Sequence, residues 1–171
     1  HRGARIQLGA DGSNTNDATG STNTPAHQLV RVGYPAVPQL IAALDSDVFS
    51  RSIGYGRNFV FSHTVLTIGE CAAQILRRLT GRQFSIQGPW GWTNSVSMKR
   101  ATELWWAEFQ AKGEKQMLVE GVTRGGDDAP AQAELLVQHF PDVACQTLIQ
   151  SAQAATNSWV RTRLIEQIAA L

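Results

Sequence analysis

From residue 35 onward, hydrophobic positions recur with a helical period. Val37, Leu40, Ile41 and Leu44 fall at steps of three and four and predict one apolar stripe on a helix of about ten residues. Pro35 and Pro38 suit its first turn, and Asp45-Ser46-Asp47 closes it. Ser62 reads as the N-cap of a second helix, with Val65, Ile68, Ala72, Ile75, Leu76 and Leu79 on one face and Gly81 as its stop. Further helices are expected over 97–112, 114–124, 128–140, 142–155 and 158–171, separated by Gly113, Gly125-Gly126, Pro130 and Pro141. Their apolar stripes are Met98, Ala101, Leu104, Trp105 and Phe109; Leu135, Leu136 and Phe140; Ala144, Leu148, Ile149, Ala152 and Ala155; and Val160, Leu164, Ile165, Ile168 and Leu171. Strand character is confined to a short extension at Phe59-Val60-Phe61, so the expected class is all-α.

Two stretches break the helical pattern. Residues 52–61 form an insertion carrying Tyr55, Arg57, Asn58, Phe59 and Phe61, and residues 82–96 form a Gly/Pro-broken loop carrying Trp90 and Trp92. Ahead of the helices, residues 9–26 hold no apolar side chain larger than alanine and read as a flexible Ser/Thr/Asn/Gly-rich tether. Ile6 and Leu8 before it suit a short docking strap. The expected organisation is a strap and tether over 1–33 and a helical domain over 34–171. His1 in first position reads as the start of a processed chain, an excised domain or the remainder of something longer.

The segment Leu148-Ile149, Ala152, Asn157, Val160-Arg161 and Leu164-Ile165 has a grammar of its own. A helix ends in small residues, an Asx turn caps the next helix, and a Val-Arg pair opens it, with the arginine in reach of carbonyls or of a neighbouring Asx. The same order stands at Leu40-Ile41, Leu44, Asp47-Val48 and Arg51. With the phrase Ala36-Val37-Pro38-Gln39-Leu40-Ile41-Ala42-Ala43-Leu44, this resembles the HEAT-repeat family of armadillo-like α-solenoids. HEAT units run about 40–47 residues, so the resemblance implies about three helix pairs in a short α-α superhelix with two aromatic insertions. It also implies a binding scaffold, because stacked pairs expose an extended surface.

Composition narrows the function classes. Lys plus Arg is 15 against 14 for Asp plus Glu, a formal net charge of +1, which argues against a dedicated nucleic-acid binder. No apolar run approaches the ~20 residues that span a bilayer. Cys71 and Cys145 stand far apart without a CxxC and read as two small buried hydrophobes, with a disulfide between them left open. His63 and Glu70 share a face if both lie on one helix, but two turns apart is too far for a shared metal. Arg77, Arg78 and Arg82 suit the C-terminal end of their helix, as does His139 in its own. Neighbours on a helix point about 100° apart, so of Trp105 and Trp106 one belongs in the core and the other at a seam.

The sequence carries no P-loop, HExxH, nucleophile elbow or dinucleotide fingerprint. The expectation is therefore a non-enzymatic interaction module or assembly subunit, with no catalytic residues, metal or cofactor. Its protein partner would be gripped by Tyr55, Arg57, Phe59, Phe61, Trp90 and Trp92, because clustered aromatic and arginine side chains dominate binding energy. The alternative, which the family resemblance implies, is a lyase-type or DNA-repair-type HEAT-like enzyme acting on a bound chromophore or on nucleic acid. The scarcity of lysine (Lys99, Lys112 and Lys115) and the polar tether lean toward an exported bacterial protein.

Overall fold

A computed structural model describes residues 24–55, 63–84 and 95–171. Eight α-helices and one two-stranded sheet lie among the described residues: α1 (Pro25–Val32), α2 (Val37–Ala43), β1 (Phe49–Tyr55), β2 (His63–Thr67), α3 (Ile68–Thr80), α4 (Ser95–Lys112), α5 (Glu114–Arg124), α6 (Ala129–His139), α7 (Pro141–Ala154) and α8 (Ser158–Ala169). The mostly helical class therefore matches the reading of the sequence. They fall into two compact units. One takes the described residues through Leu79, Phe84 and residues 95–102; the other takes Thr80–Gln83 and Glu103–Leu171.

In the first unit, α1 begins inside the stretch assigned to the tether, because Thr24 supplies an N-cap: its Oγ1 accepts from the His27 N–H, and Pro25 occupies the first turn. The stripe Val37, Leu40, Ile41 and Leu44 is buried throughout, with Pro35 in a preceding 3-10 turn (Tyr34–Ala36). The next helix departs from expectation. It starts at Ile68 and not near Ser62, and residues 63–67 are strand β2, paired antiparallel with β1. The reason is a reciprocal capping box at Thr67: the Thr67 N–H donates to Glu70 Oε2 at 2.7 Å and the Glu70 N–H donates to Thr67 Oγ1 at 3.1 Å. His63 and Glu70 accordingly lie on different elements, and Val65 belongs to the sheet. From Ala72 onward the apolar stripe holds: Ala72, Ile75, Leu76 and Leu79 are buried. Thr67→Ala removes one half of the box and is expected to cost about 1 kcal/mol. Chemical denaturation checks this, with Glu70→Gln, which can still accept from Thr67, expected to cost less.

Gly81 ends α3 as the sequence indicates, at φ +63°, a region that glycine reaches without a Cβ penalty. A Cβ there would also lie 2.9 Å from the backbone of Ala131 and Gln132.

In the second unit, α5–α8 follow the helical pattern of the sequence to within a residue or two at most boundaries. α5 pairs with α6 and α7 with α8; α5 also packs on α7 and α6 on α8, so two helical hairpins stack side by side. Their shared core contains Leu118, Val122, Ala133, Leu136, Ala144, Leu148, Val160 and Leu164. The Asx turn between α7 and α8 behaves as its grammar requires. Asn157 Oδ1 accepts from the N–H groups of Trp159 and Val160, and Arg161 donates to the Ala155 carbonyl.

Trp105 is buried and Trp106, half-buried, stacks on Phe109 at 5.2 Å between ring centroids. Leu104, placed in the α4 stripe by its spacing, is 65% exposed instead, while Thr102 is buried with its hydroxyl donating to the Met98 carbonyl. That local bond lets a threonine occupy a buried position without an orphaned donor. Lys112 lies between Glu108 and Glu120 at 2.7 Å from each, and these hydrogen-bonded carboxylates raise its pKa, while the hydrogen bonds donated by Lys112 and Gln116 lower that of Glu120. His139, at the end of α6, pairs through Nδ1 with Glu114.

Candidate interaction surface

The residues proposed from the sequence as partner contacts are Tyr55, Arg57, Phe59, Phe61, Trp90 and Trp92. Of these, only Tyr55 falls among the described residues: it closes β1, opposite His63 on β2. Arg57, Phe59, Phe61, Trp90 and Trp92 lie outside them, as does the extension at 59–61. What the structure does supply is the platform at the two ends of residues 56–62. Those ends are the last residue of β1 and the first of β2, so the aromatic insertion departs from an antiparallel hairpin.

That hairpin has two unlike faces, because successive side chains on a strand alternate sides. On the inner side Ser52 and Leu66 are buried, and Ser50 lies with its Oγ 3.4 Å from Cys71 Sγ on α3. The Ser52 N–H donates to Ser50 Oγ at 3.0 Å. On the outer side, Phe49 stands opposite Thr67 and Ile53 opposite Val65. Phe49 is 73% exposed and Val65 53%; Val48 and Ile68, at the two strand ends, are exposed as well. The register shifts between Phe49 and Ile53, the signature of a bulge, which sharpens local twist.

The arrangement departs from the usual economy of a half-buried hairpin. Ser50 and Ser52 face inward beside Leu66, whereas Phe49 and Val65 stand in water on the side that also carries Arg51. Sequence reasoning missed Phe49 and Val65 for that reason. Val65 fitted a helical stripe, and Phe49 stood between an Asp-Ser-Asp turn and a serine-rich run. The available signal was the alternation of Phe49, Arg51 and Ile53 with Ser50 and Ser52.

The chemistry of the described residues is sparse. Among them no three His, Cys, Asp or Glu side chains gather in a way that could hold a metal ion. No helix among them is long and apolar enough to cross a membrane. The two cysteines are free thiols, Cys71 partly exposed and Cys145 exposed, which corrects the expectation of two buried hydrophobes. Both sit on helices beside core positions without occupying them: Ala72 and Ala144, their neighbours, are the buried residues. Comparison of the chain with protein-family models, curated proteins and solved structures finds no match.

Proposed function

We propose that this chain is a non-enzymatic protein-interaction module, a scaffold or assembly subunit that grips a protein partner with the hairpin β1–β2 and the aromatic insertion it carries. The observation behind this reading is the outward apolar face of the hairpin, where Phe49 and Val65 stand in water beside Val48 and Ile68. Contiguous exposed apolar side chains are a mark of interaction sites. Arg57, Phe59 and Phe61 continue that composition between the strands, and Trp90 and Trp92 add the second aromatic loop of the proposed surface.

The scaffold is read as a short HEAT-like α-solenoid. Two stacked helical hairpins with an Asx-capped turn support the likeness. Equivalent buried positions Leu118 and Leu148 stand 30 residues apart, a tighter spacing than the roughly 40–47 residues of a HEAT unit.

The test is partner capture by the full chain from extracts of its source, compared with Phe49→Ser/Val65→Ser and Trp90→Ala/Trp92→Ala variants. The hairpin variant is expected to keep its helical circular dichroism and melting temperature while losing at least ~10-fold in capture, as removal of hot-spot side chains does. Undiminished capture by both variants would remove the proposed surface.

A further inference from the structure

The second unit carries an exposed indole that the hairpin surface does not use. Trp159 stands in the first turn of α8, and 52% of the residue is in water. Its backbone N–H donates to Asn157 Oδ1 at 2.9 Å, so the ring is rooted on a capped helix end. Helical side chains lean toward the N-terminus of their own helix, which carries the indole toward the turn that Asn157 makes. Among the described residues no ring or cation stacks on it.

The same end of the unit presents a carboxylate. Asn157 Nδ2 approaches Asp127 Oδ1 at 3.5 Å, which sets the α5–α6 turn beside the α7–α8 turn. Gln167 Nε2 donates to the Pro130 carbonyl at 2.9 Å, so that side of α8 faces the start of α6. Trp159 lies about 80° round the helix from Gln167, and Arg161 about 120° round in the opposite sense. Asp127 is exposed and pairs with no lysine or arginine among the described residues. The cations nearest in sequence are engaged elsewhere. Arg163, one turn along from Trp159, pairs with Glu166 at 2.9 Å, and Arg161 donates to the Ala155 carbonyl. Arg124 stands four residues after Glu120 on α5 and couples to that carboxylate. The neighbouring Asp128 accepts from the Gln83 N–H at 3.2 Å. Across the whole unit, carboxylates outnumber lysine and arginine side chains.

We infer that Trp159 and Asp127 form a docking point for an arginine or lysine side chain on a basic segment of a protein partner, the cation lying over the indole and bonded to the carboxylate. An electron-rich ring beside an uncompensated carboxylate suits a cation. The two helix starts at this end make a poor anion site. The first-turn N–H groups of Trp159 and Val160 are spent on Asn157 Oδ1, the Ala129 N–H donates to the Gly126 carbonyl, and Pro130 has no N–H to offer. A sugar would stack on the ring but needs free amides to read its hydroxyls, and the amide of Asn157 is taken on both sides. The inference rests on the chain being an interaction module and uses no residue of the hairpin surface.

Nuclear magnetic resonance titration of the full chain with a tetra-arginine peptide, in ~0.15 M salt to screen diffuse attraction, tests this at the indole N–H cross-peak that Trp159→Ala removes. That peak is expected to shift with the peptide, while tetraglutamate and maltose leave it in place. In fluorescence anisotropy with the labelled peptide, Trp159→Ala is expected to bind at least ~5-fold more weakly and Asp127→Asn about 3-fold, with the circular dichroism of both unchanged. Phe49→Ser/Val65→Ser is expected to bind the peptide as the wild type does, so that failure of this docking point and failure of the hairpin surface are told apart. An indole peak that the peptide does not move, equal binding by the wild type and Trp159→Ala, or a response to tetraglutamate or maltose as large as that to the arginine peptide would each overturn the inference.

Discussion

Leu148→Ala is expected to destabilise the second unit by about 2–5 kcal/mol, the range observed when a fully buried leucine is truncated in a close-packed core. Leu148 is completely buried where the two hairpins meet, in the cluster that also holds Leu118, Ala144 and Leu164. Alanine would remove apolar contacts and leave a cavity bounded by helices that already pack on one another, so little of the loss can be recovered by collapse. The neighbouring residue supplies the contrast. Ile149→Ala, one position along the same helix, is expected to cost distinctly less, about 1 kcal/mol, since 38% of the residue is already in water. Urea denaturation followed by far-ultraviolet circular dichroism reads both. Equal losses for the two would show that the core between the hairpins is not where the structure puts it.

Why that core could be anticipated is a matter of period and punctuation. In α5–α8 the apolar positions follow a 3.6-residue repeat, glycine separates α5 from α6, proline opens α7, and Asn157 announces the cap of α8; each local signal agrees with the tertiary outcome. Where signals conflict, spacing alone misleads. Ser62 and Thr67 both precede apolar helical spacing, but only Thr67 has a glutamate three residues on, and the reciprocal cap fixes the helix start. Leu104 and Thr102 exchange the roles their hydropathy suggests, because a threonine hydroxyl can be satisfied by its own helix. Ile165 has the spacing of the buried stripe of α8 and is exposed, whereas Val160 and Leu164 are buried. A spacing rule assigns residues to a face, and the number of neighbouring helices decides how wide that face is.

The hairpin was the least legible element. In β1 the buried side is lined by Ser50 and Ser52 while Phe49 stands exposed beside Arg51, so the alternation that marks a half-buried strand carries little of its usual polarity contrast. The residues on either side of the aromatic insertion, Tyr55 and His63, are the paired ends of this hairpin.

Gly69→Ala is expected to cost about 2–3 kcal/mol in the first unit, even though alanine is favoured over glycine within a helix by about 1 kcal/mol. Gly69 is the second residue of α3, just past β2, and its N–H donates to the Ser46 carbonyl at 3.1 Å. The Ile68 N–H likewise donates to Val48 O at 2.9 Å, so the start of α3 is bonded to the chain that leads from α2 into β1. A Cβ at residue 69 would stand 2.5 Å from the Leu44 carbonyl oxygen and 2.9 Å from that of Ser46. Both are backbone atoms, and no rotamer change can move them; the turn after α2 must shift or the two hydrogen bonds must lengthen. Gly126→Ala is the matched control, because a Cβ there meets nothing within 4 Å. Thermal melts of the two variants are expected to separate clearly, with Gly126→Ala close to the wild type. Since β1 follows directly from this turn, Gly69→Ala should also weaken partner capture through Phe49 without altering any side chain of the proposed surface, whereas a fully stable Gly69→Ala protein would mean that the close approach of α3 to the α2 turn is wrongly placed.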